Sequence, residues 1–206
     1  MNFIKKTSIV LFSAILFSSI NSAKSYDFSN NVYGKTTLKL GFTTQTYTGD
    51  VKQILNNANG ENLHKVNATF GILLNGGYDF YYKITKNVNL FAGLNLEFRH
   101  NAVKIIMEEN EKINDLLSLF SRFGSKFIIN EKLAISPYAL IGFNVMKAKI
   151  YEDKKTSVGL NVGGGIDFII NDYFIIGAEY SYSKNKNKTF TIDGHRISLK
   201  FGAQFF

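Results

Sequence analysis

No cysteine occurs among the 206 residues, no tryptophan, and only one proline, Pro137. The absence of cysteine excludes a disulfide scaffold and a lipoprotein anchored through an acylated cysteine. Histidine is scarce too: His64, His100 and His195 are the three in the chain. The chain has no cluster at metal-ligand spacing, and it carries no nucleic-acid motif. Gly163-Gly164-Gly165 is no phosphate loop, because it lies within a strand pattern and no helix follows it. After residue 25 no apolar run approaches the ~20 residues of a helical membrane span. Mean hydropathy is −0.04, a value a soluble protein could have. A membrane β-barrel escapes such averages, since only alternate residues meet lipid.

What the chain does have begins with an export signal. Lys5 and Lys6 give a basic start, and Thr7 to Ile20 forms a short apolar core. That core is shorter than a membrane span needs. Ala23-Lys24-Ser25 offers a cleavage site after Ser25, with cleavage after Ala23 the alternative. Residues 1–25 therefore read as a signal peptide and residues 26–206 as one domain. Loss of Lys5, Lys6 and Lys24 lowers the formal charge from +8 to +5, so the exported chain stays mildly basic.

The rest is dominated by a two-residue period. From Val66 to Tyr82 every even position is apolar, aromatic or glycine, while odd positions such as Asn67, Thr69, Asn75 and Asp79 are mostly polar. Leu73 and Tyr81 break the rule. A helix would scatter these apolar side chains around its axis; a strand collects them on one face. After Ile84–Asn87 the alternation resumes from Val88 to Phe98, so the two runs form a hairpin. Both runs meet or exceed the ~9–11 tilted residues that cross a bilayer.

The same reading predicts eight strands: Val32–Thr46, Val66–Tyr82, Val88–Phe98, Leu116–Ile129, Leu133–Ile150, Ser157–Ile170, Tyr173–Ser183 and Phe190–Phe206. Short turns follow the second, fourth and sixth. Longer connections follow the others: Tyr47–His64, His100–Asp115, Tyr151–Thr156 and Ser183–Lys188. In His100–Asp115, Val103, Ile106, Met107 and Ile113 have helix-like spacing, which predicts a short amphipathic helix. Sorting short from long connections is what an outer-membrane barrel does, with short periplasmic turns and longer external loops. The expected fold is all-β, an eight-stranded antiparallel up-and-down transmembrane β-barrel.

One face of every strand is apolar. The other mixes Gly, Asn, Ser and Thr with Lys39, Glu97, Arg99, Arg122, Lys126, Asp167, Glu179 and Lys200. A soluble lipocalin-like barrel would put the apolar face inside. Export, strand length and loop sorting favour the inverse, with the charged set in the lumen. Eight strands leave room only for side chains, so these charges are expected to form a packed ion-pair network, Arg122 and Glu97 among its members. Tyr33, Tyr78, Tyr82, Tyr138, Tyr173, Tyr180 and Tyr182 lie near strand ends, where tyrosine suits the headgroup region.

On these features the chain resembles the small eight-stranded outer-membrane barrels of the OmpA/OmpX type and the opacity-protein, porin-like surface family. Its ending, Lys200-Phe201-Gly202-Ala203-Gln204-Phe205-Phe206, is similar to the terminal aromatic signal of that family. The resemblance implies that Phe201, Gly202, Phe205 and Phe206 are read by the barrel-assembly machinery, although Phe206 falls out of the lipid-facing phase. It implies a place in the bacterial outer membrane, in contact with its lipid and lipopolysaccharide.

For function the residues favour a non-enzymatic structural or surface-interaction protein, adhesin-like through its external loops. A small porin and a lipid-A-modifying enzyme are the alternatives, and a soluble ligand-binding barrel is a weaker one. Asp193 and His195 share a face, but no serine joins them at matching spacing, so no catalytic, cofactor-binding or metal-binding residues are assigned. Lys154, Lys155, Lys184, Lys186 and Lys188 make two external loops basic. Such loops suit lipopolysaccharide phosphates or an acidic host surface, and no nucleic acid is expected as a partner.

Overall fold

The structure, a computed structural model, describes residues 31–49, 69–102, 112–150, 153–186 and 191–205. Eight strands follow in chain order: β1 (Val32–Gly49), β2 (Thr69–Lys83), β3 (Val88–Ala102), β4 (Lys112–Asn130), β5 (Leu133–Ile150), β6 (Asp153–Ile170), β7 (Phe174–Lys186) and β8 (Thr191–Phe205). Each pairs antiparallel with the next, and β8 closes on β1. The chain is an up-and-down, all-β barrel.

Closure has a definite stagger. Partners traced from Thr37 run through Gly77, Asn95, Phe120, Gly142, Asn161, Ser183 and Gly194, and return to β1 at Tyr47. A displacement from Thr37 to Tyr47 around eight strands tilts them by about 40° at ordinary rise and spacing. At that tilt a 15-residue strand such as β3 stands about 38 Å tall, enough to cross the hydrocarbon core and project beyond it.

Turn chemistry is local and specific. Thr85 Oγ1 accepts from the Asn87 and Val88 amides at 3.2 and 3.0 Å. Asn130 Oδ1 accepts from the Lys132 and Leu133 amides, both at 2.9 Å. Asn171 and Asp172 take left-handed φ values of 53° and 55°, which a two-residue hairpin turn demands and which Asn and Asp tolerate.

At the opposite end the strands run further than their side-chain period suggests. Pairing of β5 with β6 continues unbroken from Leu133↔Ile170 to Ile150↔Asp153. The ladder bonds backbone groups and does not require apolar alternation. Lys154 and Lys155 therefore belong to β6, and Lys184 and Lys186 to β7, not to loops. Ile113, expected on an amphipathic helix, is a β4 residue opposite Ala148. Val103, Ile106 and Met107 lie outside the described residues, as do residues 1–30, the segment 50–68, Lys188 and Phe206.

The faces are inverted relative to a protein in water. Leu40, Ile72 and Phe143 are 62%, 57% and 61% exposed, while Lys39, Asp79 and Glu97 are 1%, 0% and 0% exposed. A monomer in water does not expose so continuous an apolar surface; lipid is the solvent that fits it.

Candidate functional site

The inward phase of the strands builds the lumen in layers. At the short-turn end Lys35 of β1 and Lys126 of β4 both donate to Asp172, in the turn between β6 and β7; the Lys126 bond is 2.6 Å. Gln204 Nε2 donates to the Asp172 carbonyl at 3.0 Å and its carboxylate at 3.1 Å. The left-handed turn thus folds a carboxylate over the mouth of the barrel. Burial alone would raise the Asp172 pKa, but hydrogen bonds from Lys126 and Lys35 outweigh it and hold the carboxyl below the usual range.

Above this lies an aromatic layer. Tyr81, Phe91, Phe120, Tyr138 and Leu140 form one buried cluster, with Tyr33 packed against it. The Tyr33 and Tyr81 rings stack at 4.9 Å. Arg122 lies between Phe91 and Tyr138, its guanidinium carbon 5.4 and 5.3 Å from their ring centres. Arg122 Nε donates to Asp79 Oδ1 at 2.9 Å, Nη2 donates to the other Asp79 oxygen, and Nη1 reaches Asp167 Oδ2 at 2.8 Å. Lys39 donates to that same Asp167 oxygen at 2.5 Å. Glycine makes this geometry possible: a Cβ on Gly93 would sit 1.9 Å from Asp79 Oδ1, and one on Gly177 2.3 Å from Asp167 Oδ1.

A second charged cluster follows on the outer side. Lys200 Nζ donates to Glu97 and Glu179, each at 2.7 Å. Arg196 donates to Glu179 at 2.7 Å. Glu97 Oε1 lies 3.1 Å from both Arg99 Nε and Arg196 Nη1, and Arg99 also donates to Ser118. Tyr138 joins the clusters, because its hydroxyl donates to Glu179 at 3.0 Å while its ring faces Arg122. Buried Asn95, Asn144, Asn161 and Asn185 carry side-chain amides without a protein partner.

The structure thus places Lys39, Glu97, Arg99, Arg122, Lys126, Asp167, Glu179 and Lys200 all inside, in three groups. Arg122 and Glu97 do not pair. Arg122 stands opposite Gly93 and Glu97 opposite Ser118, so they sit at different heights. Lys35, Asp79 and Arg196 are buried in the interior as well, and Asp172 covers its mouth half-exposed; sequence reasoning passed over all four. One signal pointed to the two carboxylates: the expected set held five cations against three carboxylates, and buried charges need partners; nothing of the kind pointed to Lys35 or Arg196. Tyr33 and Tyr138 are a correction, since both point into the lumen and do not reach a headgroup belt. Both sit on the inward parity of their strands, which overrides their position near a strand end.

Outside, Tyr82, Tyr173 and Tyr180 are exposed. Tyr180 Oη lies 2.7 Å from His195 Nδ1, and the Tyr182 ring packs on the same imidazole at 5.0 Å. His100 is exposed on β3, and His64 is outside the described residues. At the outer edge Lys147, Lys184 and Lys186 are exposed. Register sets Lys112 opposite Lys149, and Lys149 opposite Lys154. Phe201 and Phe205 lie on the outward face of β8 with Gly202 between them.

An apolar exterior, a closed ring of eight tilted strands and charges locked inside define a transmembrane β-barrel. The chain matches the family described as Outer membrane protein beta-barrel domain over residues 10–205, and it belongs to that family. It is a protein of the bacterial outer membrane. Among solved structures it is similar to Ail, the attachment invasion locus protein of Yersinia pestis, at 18% identity, over 84% of this chain and 99% of that one, with a TM-score of 0.46. Neisserial surface protein A is similar at 11% identity, over 82% and 96%, with a TM-score of 0.46. OprG of Pseudomonas aeruginosa is similar at 13% identity, over 84% and 96%, with a TM-score of 0.33. No curated protein matches the sequence.

Proposed function

We propose that the protein is a non-enzymatic surface barrel whose outer rim engages anionic groups, lipopolysaccharide phosphates first and acidic host glycans second. The observation that carries this reading is the row of lysines across β4, β5 and β6, Lys112↔Lys149↔Lys154. Exposed Lys147, Lys184 and Lys186 extend it over β5 and β7. A rigid scaffold carrying binding groups at its rim is a common arrangement.

The aromatic layer and the Arg122 cluster fill the inner half of the lumen, which supports a scaffold over a porin. His195 is held by Tyr180 and Tyr182 on the outer surface, contacts that suit a packing role. Export by a cleaved signal peptide, and capture of Phe201, Gly202, Phe205 and Phe206 by the barrel-assembly machinery, belong to the same proposal.

The test is binding of the purified barrel, in non-ionic detergent, to lipopolysaccharide before and after removal of its phosphates. The triple variant Lys112→Gln/Lys149→Gln/Lys154→Gln is expected to bind about tenfold more weakly, from three surface ion pairs of ~0.5 kcal/mol each. Added salt should weaken wild-type binding. Affinity unchanged in the triple variant would refute the rim reading. Steady conductance in planar bilayers would favour the porin, and altered lipid A on overexpression would favour the enzyme.

A further inference from the structure

A cavity of about 770 Å³ opens at the short-turn end of the barrel, bounded by the turns after β2, β4 and β6. Its volume falls in the range of small-molecule sites. It is blind. The stacked Tyr33 and Tyr81 rings close its inner side, and behind Tyr81 lies the Phe91–Phe120–Tyr138 cluster. It lies at the end of the barrel away from the lysine rim and is independent of the function proposed for that rim.

The walls differ in character. Lys35, Lys83, Lys86, Lys126 and Lys132 line the cavity against two carboxylates, Glu131 and Asp172, among the described residues. Lys35 and Lys126 are buried, 1% and 3% exposed, and they carry their charge from inside the mouth. Lys83, Lys86 and Lys132 are exposed at its rim. Ile128, Leu133, Ala134 and Ile169 form an apolar stretch of the same lining. Lys35 and Lys83 also stand over the Tyr33 ring at 5.9 and 5.3 Å, and Lys126 over Tyr81 at 5.6 Å, so the ammonium groups gather around one aromatic floor.

Asp172 shows what the site is shaped to hold. Its carboxylate reaches in from the turn and takes hydrogen bonds from both buried ammonium groups, yet its side chain is still 47% exposed. It is an anion at the edge of a cationic cavity, with room beside it. We propose that this mouth is a binding site for an organic anion, a phosphate or carboxylate joined to an apolar portion. Lys35 and Lys126 receive the charge in competition with Asp172, Lys86 and Lys132 attract it from the rim, and Ile128 and Leu133 meet the apolar part. An anionic phospholipid of the inner leaflet and a soluble organic phosphate both offer this chemistry.

The probe is phenyl phosphate, titrated into the refolded full chain in non-ionic detergent by calorimetry and by amide chemical shifts. Saturable binding is expected, with shifts confined to the three short turns and the adjoining strand ends, and tighter than binding of inorganic phosphate. Asp172→Asn removes the competing charge and should tighten binding about fivefold. Lys86→Gln/Lys132→Gln alters exposed turn residues only and should weaken it about threefold. Repeating the titration in nanodiscs separates the sources. If phosphatidylglycerol blocks phenyl phosphate and phosphatidylcholine does not, the occupant is lipid; equal binding in both identifies a soluble anion. Phenyl phosphate binding no better than inorganic phosphate, an Asp172→Asn variant with unchanged or weaker affinity, or a rim variant with unchanged affinity would overturn the proposal.

Discussion

Removing the Arg122 guanidinium probes the interior most directly. Arg122→Met keeps an apolar stem among Phe91 and Tyr138 but leaves Asp79, 0% exposed, without the side chain that holds both its oxygens. Asp167 keeps Lys39. Breaking a buried pair from one side costs about 3–5 kcal/mol, most of it the penalty of the stranded charge. Loss of the two ring contacts contributes about 1 kcal/mol of that. Asp79→Asn strands Arg122 less severely, because Asp167 still accepts from Nη1 at 2.8 Å. In the double variant neither charge is stranded, so the two losses should fall short of additivity by at least about 2 kcal/mol. Glu97 shares no hydrogen-bond partner with Arg122, so Arg122→Met with Glu97→Gln should add within about 0.5 kcal/mol. The chain has no tryptophan, so urea unfolding in phospholipid vesicles is best followed by far-ultraviolet circular dichroism and by the gel mobility of the folded barrel. A wild-type midpoint for Arg122→Met, or strict additivity with Asp79→Asn, would refute the reasoning.

Three further outcomes are expected. Leu40→Arg puts a charge on a lipid-facing site that is 62% exposed, near the middle of β1, and should cost ~2–4 kcal/mol in vesicles; a loss below about 0.5 kcal/mol would place that face elsewhere. Gly93→Ala drives a Cβ to 1.9 Å from Asp79 Oδ1 and 2.8 Å from the Tyr78 carbonyl, which should cost about 1–3 kcal/mol in equilibrium unfolding, whereas an alanine accepted without loss would mean that Asp79 can leave Arg122 freely. Asp172 has a depressed carboxyl pKa, so its contribution is complete above the unfolded value of about 3.9 and is lost as pH falls through the lower folded value; the difference in unfolding midpoint between wild type and Asp172→Asn should begin to shrink below about pH 4 and vanish only once pH has passed the lower folded value, and a difference independent of pH would exclude the hydrogen bonds from Lys35 and Lys126 as its source.

The alternation in Val66–Tyr82 and its counterparts carried the strand count, the hairpin order and the inverted faces, because lipid imposes a single rule on every outward position. Leu73 and Tyr81 were visible as breaks in that rule. The meaning of Tyr81 was not, since that aromatic residue on the polar parity is explained only when Phe91, Phe120 and Tyr138 converge from other strands. Parity alone would have placed Tyr138 inside, flanked as it is by Pro137 and Ala139 of the lipid-facing phase. Ion-pair partners were less accessible. Arg122 meets Asp79 across β3 and Asp167 across β5, and those heights depend on a stagger that no single strand records. The ends of β6 and β7 ran longer than predicted because Lys, Asn and Thr there pair through backbone groups, which leave no mark in a hydrophobic period.

The same stagger gives the buried charges a role that stability alone does not. Well-packed apolar residues could fill the lumen at comparable or lower free energy. Lipid, however, specifies only parity. A one-residue slip between β8 and β1 would turn Lys39 or Lys200 outward, and the membrane forbids it. A two-residue slip keeps every face correct and costs nothing in lipid contact. It would move β8 about 7 Å along the barrel relative to β1, taking Lys200 from Glu97 of β3 and Lys39 from Asp167 of β6, while Lys200 keeps Glu179 on the neighbouring β7. Most of these bonds join strands that are not neighbours: β1 with β6, β4 with β2 and with β6, β8 with β3. The β1–β6 and β8–β3 bonds form only when the ring closes in the right register, while the Arg122 bonds and the notches at Gly93 and Gly177 hold β2 to β7 in theirs. The charged lumen is what distinguishes the observed closure from its two-residue neighbours.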